Sequence, residues 1–227
     1  MCGRITQIND PASYAEVLAW MNRDRWPILG EHVANYNASP GAKHWTMRVF
    51  HDEPFIERVR WQYLSPWAAK KGMPPAINAR IDKLLTPYYR GLMNTGRIIV
   101  PANGWYEWVG EKGGKQPWYI KAKDGAPLFF AALTNHDPTK EGPEGVGFVI
   151  VTDASAGGMV DVHDRRPVAL AVEDAILWMD AGISYEQAEQ IARTTAIREE
   201  YFEWYRVSRD VNGTRLHDAH LIEPIIE

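Results

Sequence analysis

The sequence predicts one α+β domain, residues 1–227, with a mostly antiparallel β core curled into a barrel-like form and helices at its periphery. Three observations carry this expectation. Short apolar runs bounded by turn residues recur from Trp45 to Val172. Helical periodicity is confined to stretches near residues 10–24 and 173–195. No repeat, low-complexity segment or linker divides the chain.

Residues 10–24 read as the first helix. Pro11 suits its first position, Asn9 or Asp10 its cap, and Tyr14, Val17, Leu18 and Met21 one apolar face. A loop follows, with turn chemistry at Asn35-Tyr36-Asn37-Ala38-Ser39-Pro40-Gly41. Trp45–Phe50 and Phe55–Tyr63 read as strands joined by a turn at His51-Asp52-Glu53-Pro54. Residues 64–96 read as one long irregular loop, and such loops inside a domain are commonly functional. Arg97–Val100 is a buried-type strand that Gly104–Val109 continues, with a glycine-rich hairpin turn at Glu111–Lys115. Trp118–Ala122, Leu128–Leu133 and Val146–Thr152 follow as strands. The last two are almost wholly apolar and so belong at the centre of a sheet. After a loop at Gly157–Pro167 come a strand, Val168–Val172, and helices at 173–181 and 184–195. Ser184 and Gln187 form a capping-box pattern at the second helix. The C-terminal stretch 203–225 is mixed, with a strand expected at Leu221–Ile226.

With 45% hydrophobic and 24% charged residues the composition is that of a globular protein. The net charge of −4 excludes a wholly basic nucleic-acid binder, so any such contact needs a local arginine patch. Ten tryptophans and ten tyrosines supply core but also stacking surfaces. Cys2 is the single cysteine, which excludes an internal disulfide and a cysteine-based zinc site. No metal or cofactor is expected. The N-terminus has no signal-type apolar segment, and no apolar run reaches the length of a membrane span. A cytoplasmic monomer is therefore expected.

Polar clusters gather in loops or at strand ends. The first is Cys2-Gly3-Arg4. With Met1 removed, Cys2 carries an α-amine of pKa about 7.7–8.0 beside a thiol of about 8.5. Such a 1,2-aminothiol captures an aldehyde as an imine and then closes a thiazolidine. An internal cysteine, whose nitrogen is an amide, does neither. On this tetrapeptide alone a small residue near a terminus is the better reading. The other clusters are Asn78-Ala79-Arg80, Glu107 within Gly104-Trp105-Tyr106-Glu107-Trp108, and His163-Asp164-Arg165-Arg166. Each is weak alone: a histidine in a loop, a glutamate on a strand's solvent face, surface arginines. Glu107 is the least ordinary, because apolar surroundings raise a carboxyl pKa into the acid–base range.

Together the clusters resemble the SOS-response-associated peptidase family, proteins that shield abasic sites. The resemblance rests on Cys2-Gly3-Arg4, Tyr36-Asn37 through Pro40-Gly41, Ile77-Asn78-Ala79-Arg80, Gly104-Trp105-Tyr106-Glu107-Trp108, Val149–Thr152, Asp161-Val162-His163-Asp164-Arg165-Arg166-Pro167 and, more weakly, Val207-Ser208-Arg209. It implies covalent capture of abasic sites in single-stranded DNA by the N-terminal cysteine. By position it makes Cys2 the nucleophile and Asn78, Glu107 and His163 the other active-site groups. Arg4, Asn37, Arg80, Thr152 and Arg165 become DNA-backbone contacts. Pro40, Trp67 and Trp108 pack against bases beside the lesion. The implied partner is single-stranded DNA containing abasic sites, with the protein on the nucleoid when bound, and self-removal of N-terminal residues accounts for the peptidase name. The chain departs from the family pattern at Gln62, Ala68 and Asp82, in a shortened segment 83–96, and at Asn212-Gly213.

Two other classes compete. A Met-Cys-Gly start also opens N-terminal-cysteine glutamine amidotransferases, whose further motifs are not found here; ammonia release from glutamine discriminates. A non-covalent single-strand binding module would leave Cys2 dispensable.

Overall fold

Two mainly antiparallel sheets stack face to face in a computed structural model that describes residues 2–19, 32–110, 114–140 and 146–225. The smaller has five strands in the order β13 (Phe202–Arg206), β8 (Gln116–Ala122), β7 (Gly104–Val109), β1 (Ile5–Gln7) and β2 (Asn35–Ala38). The larger runs β11 (Arg165–Pro167), β10 (Phe148–Ala154), β9 (Leu128–Thr134), β6 (Arg97–Ala102), β3 (Lys43–Phe50) and β4 (Glu53–Arg60). Two short strands join it: β12 (Ala169–Leu170) on β9, and β5 (Asn78–Arg80) parallel to β10. The α+β class is as expected, but neither sheet is closed or strongly curled, so the barrel-like form is corrected to a layered one.

The layering explains the continuous apolar runs. Along β9, Leu128, Phe130 and Ala132 face one core, while Phe129, Ala131 and Leu133 face another. In β10, Phe148 and Ile150 alternate with Val149 and Val151 in the same way. Successive strand residues point to opposite faces, so a strand covered on both sides is apolar throughout. One face of the larger sheet packs on helices α1 (Pro11–Val17), α3 (Arg90–Thr95), α4 (Val172–Met179) and α5 (Tyr185–Thr194). Its other face packs on the smaller sheet through Ile98, Val100, Trp105 and Ile120. The outer face of the smaller sheet is covered by C-terminal residues Val211 and Leu221 over Tyr106 and Tyr119.

Local chemistry accounts for most element ends. Asp10 caps α1 through a bond from Ala12 N, and Pro11 opens it. The helix ends by Val17, which is exposed, and Met21 lies outside the described residues. His51 and Asp52 both take positive φ, which gives β3–β4 a two-residue turn and places Pro54 inside β4 opposite Val49. The capping box of α5 is complete. The segment read as one loop holds α2 (Pro66–Lys70), capped by Ser65, then β5, a 3-10 turn and α3. Gly104–Val109 does not continue β6: the chain crosses from one sheet to the other at Asn103, so the two runs belong to different sheets. Val172 opens a helix rather than closing a strand, and the strand there is Ala169–Leu170. The strand expected at Leu221–Ile226 is a 3-10 turn at Ala219–Ile222 followed by a single bridge from Val207 to Pro224; Ile226 lies outside the described residues. Residues 111–113 of the predicted hairpin turn also lie outside them.

Candidate active site

Strand β1 lies between β7 and β2 and pairs Ile5 with Trp105 and Thr6 with Gly104. Continued backward, that antiparallel register lays Cys2-Gly3-Arg4 along Tyr106-Glu107-Trp108. Gly104 permits the close fit: a Cβ there would stand 2.5 Å from the Ile120 carbonyl oxygen and from the Tyr119 hydroxyl. The period of two then divides the motif. Trp105 and Glu107 face the space between the sheets, where Cys2 is fully buried; Tyr106 and Trp108 face outward.

Asn78 reaches Cys2 from the other sheet. Its Nδ2 donates to the Cys2 carbonyl at 2.8 Å, while its Oδ1 is buried without a hydrogen-bond partner, an acceptor held beside the cysteine. His163 Nε2 lies 3.8 Å from Glu107 Oε2. The Arg165 amide donates to His163 Nδ1 at 3.0 Å, and Asp164 Oδ1 stands 2.8 Å from the same nitrogen. An amide proton is fixed in the peptide plane, so Nδ1 presents its lone pair and Nε2 carries the proton toward Glu107. When the ring gains a second proton, exposed Asp164 is placed to pair with it.

Burial sets the electrostatics. Glu107 is 3% exposed, and desolvation pushes its carboxyl up to about 7. Burial, then the nearby Glu107 charge, drives the Cys2 thiol well above its ordinary range. Burial lowers His163. A neutral imidazole, a protonated thiol and a carboxyl poised near neutrality thus share one pocket. Proton exchange among such groups at physiological pH is chemically accessible.

The other singled-out residues fall into four places. Arg80 and Thr152 are register partners, and Arg165 pairs with Ala154 two residues further along β10. These three line a groove of about 330 Å³. Arg80 is exposed and forms a bidentate pair with Asp82; Thr152 is 1% exposed, and its buried Oγ1 has no hydrogen-bond partner. On the outer face of the smaller sheet, Arg4 donates to Asn37 Oδ1 and to the carbonyls of Val211 and Gly213. Its guanidinium lies 5.7 Å from the Trp108 ring, and Trp108 donates to Asn212. Asn37 donates to the carbonyls of Gly213 and Leu216. Arg4 and Asn37 are therefore buried beneath the C-terminal segment rather than presented as open surface. Third, Pro40 is half-buried just after β2. Trp67, on α2, is 54% exposed beneath Lys71, beside an apolar groove of about 710 Å³ lined also by Tyr63, Pro87 and Tyr88.

Several supporting residues carry no sequence signal. Glu199 Oε1 accepts from Arg166 Nε at 2.7 Å and from Ala156 N at 3.0 Å, which fastens both ends of the loop that carries His163. The Tyr89 hydroxyl donates to the Asn78 carbonyl. Arg193, near the end of α5, lines the same groove as Arg80 and Arg165. A glutamate or arginine far along the chain looks like surface charge; only the tertiary arrangement reveals these contacts. Among the described residues no group of histidine, cysteine and carboxylates has metal-binding geometry, and no helix is long and apolar enough to cross a membrane.

The family profile "SOS response associated peptidase (SRAP)" matches residues 1–214. The chain belongs to that family. Among SRAP relatives, the abasic site processing protein YedK of Escherichia coli is 37% identical across 99% of this chain and all of its own length. The abasic site processing protein HMCES of Gallus gallus is 25% identical, covering 99% of this chain and 78% of its own. A solved phage-related protein of Bordetella bronchiseptica superposes with a TM-score of 0.76 at 38% identity, over 92% of this chain and 95% of that one. A protein of Bacteroides thetaiotaomicron, at 20% identity and a TM-score of 0.77, shares the fold.

Proposed function

We propose that this protein processes abasic sites in single-stranded DNA by forming a covalent thiazolidine with Cys2 once Met1 is removed. The observation that carries the reading is the convergence of buried Cys2 and Glu107 with Asn78 and His163, beside an arginine-lined groove that shares β5 with it. The names of the relatives agree with it.

The chemistry follows from the protonation states. An abasic sugar opens to an aldehyde, with His163 moving the proton at the ring oxygen. The neutral Cys2 amine adds to the aldehyde carbon, and Asn78 holds the amine. Glu107, with its pKa near neutrality, protonates the leaving hydroxyl and takes back the proton from nitrogen as water departs, which produces the imine. The thiol then adds across the C=N bond: sulfur bonds to carbon, and its proton passes to nitrogen by way of Glu107. Ring closure consumes the imine, through which the 3′ phosphate would otherwise eliminate. While Met1 remains, the Cys2 nitrogen is a planar amide and forms no imine. Hydrolysis of the bond before Cys2 is therefore required, which suits the peptidase name.

Arg80, Thr152 and Arg165 grip the backbone without reading sequence, and Pro40, Trp67 and Trp108 pack against flanking bases. Backbone contact by Arg4 or Asn37 requires residues 211–216 to lift, because those residues now take their hydrogen bonds.

The test is a denaturing gel of the protein with single-stranded DNA bearing one abasic site, with intact-mass measurement of the same sample. Adduct is expected only from chains beginning at Cys2, and Cys2→Ala should give no heat-stable adduct. Full-yield adduct from Met1-retaining protein or from Cys2→Ala would overturn the mechanism.

A further inference from the structure

The groove beside the pocket is walled by three arginines, of which Arg80 and Arg165 are already placed on the DNA backbone above. The third, Arg193, comes from α5, more than a hundred residues after Arg80. Its Nε donates to Glu189 Oε1 at 3.0 Å, and its terminal nitrogen donates to the same oxygen. Arg80 is held in the same manner by Asp82, through bonds of 2.8 and 2.9 Å. Among the described residues the Arg165 side chain makes no ion pair. Asp82, Asp153 and Asp164 also line the groove, so three positive charges meet three negative ones. At its wall lies the Thr152 hydroxyl, 1% exposed and without a hydrogen-bond partner. A buried hydroxyl is ordinarily satisfied, and one left open in an arginine-lined groove marks a place for an anionic oxygen.

We propose that Arg193 is a third phosphate-binding arginine of this groove, acting with Thr152, and that Glu189 and Asp82 hold the phosphate positions in the free protein. The ligand is a phosphodiester of the single strand, so the inference rests on the DNA-binding reading above. The exchange is physically reasonable. Both carboxylate pairs are at least partly exposed, and pairs of that kind contribute little, so a phosphate displaces them at small cost. Because the groove is neutral overall, undamaged DNA meets no strong cationic field there. Binding is then held back until the strand is fixed by the lesion in the neighbouring pocket.

The probe is a fluorescent oligonucleotide carrying a tetrahydrofuran abasic analogue, which has no aldehyde and cannot be captured. Its affinity is measured against salt concentration. Arg193→Gln should weaken binding and reduce the log–log salt slope by about 0.7, one single-strand phosphate's worth, with Arg193→Lys keeping the slope. Glu189→Gln should tighten binding about two- to fivefold in the wild-type background and have no effect in the Arg193→Gln background. The inference is overturned if wild type binds the probe and Arg193→Gln leaves both affinity and slope unchanged, or if Glu189→Gln acts equally with and without Arg193. Failure of wild type to bind the probe, or to crosslink a true abasic site, would count against the function itself. Arg193 is exposed, so its replacement leaves the core intact, and a thermal melt of each variant checks this.

Discussion

The pocket at Cys2 and the groove at Arg80 are linked through β5, which carries Asn78 into one and Arg80 into the other, yet they handle charge in opposite ways. In the pocket, ionisable groups are withdrawn from water, and their proton affinities move: Glu107 up, the Cys2 thiol up, His163 down. In the groove, the exposed arginines Arg80 and Arg193 are matched by carboxylates. Burial therefore tunes reactivity in the first, and pairing tunes affinity in the second. Variants of the pocket should change rates, and variants of the groove should change binding.

The sharpest way to break that contrast is Glu107→Gln. Single-turnover crosslinking at saturating DNA should fall roughly 10²–10⁴-fold, with affinity for the uncapturable analogue unchanged; His163→Ala should behave alike. Loss of affinity with an unchanged rate would merge the two regions into one. The second largest effect is expected at Trp67, whose exposed ring is offered to a base. Trp67→Ala should weaken binding by roughly 1–3 kcal/mol while leaving the saturated rate alone, as read by anisotropy and by quenched crosslinking.

A third prediction concerns stability. Folding raises the Glu107 pKa from its ordinary 4.5 to about 7, so the folded state binds the proton more tightly than the unfolded chain. The associated stability is present in full below about pH 4.5 and is lost as pH rises to about 7. Glu107→Gln removes that dependence and should be the more stable protein at pH 8, by an amount on the order of 3 kcal/mol. Chemical denaturation of both proteins at pH 5 and pH 8 measures it, and equal unfolding midpoints at pH 8 would argue against a buried, proton-hungry Glu107. The smallest effect belongs to the groove: Arg80→Ala should reduce the salt slope by about 0.7 and leave the saturated crosslinking rate intact.

What could be read beforehand divides along physical lines. The runs Leu128–Leu133 and Val146–Thr152 announced central strands because both faces of a doubly covered strand are apolar. The α5 cap was legible because a capping box is local. β5 and β11 were not, since three-residue strands carrying Asn78, Arg80 and Arg165 owe their conformation to β10 rather than to their own side chains. The division of β6 from β7 was hidden because only Asn103 separates two apolar runs, and periodicity does not say which sheet a strand joins. The four pocket residues could be singled out by type and motif, but their meeting between the sheets could not. Arg193 and Glu199 were invisible, being ordinary charges on ordinary segments until α5 and the loop after it pack beside β10 and β11.

The seat of β1 also sets a clock during synthesis. Ile5 pairs with Trp105, a strand made a hundred residues later. At roughly 5–20 residues per second, the first residues wait on the order of 5–20 s before that partner exists. Through that interval the bond preceding Cys2 lies open to any aminopeptidase near the ribosome. After β7 closes over β1, Cys2 itself has no exposed surface.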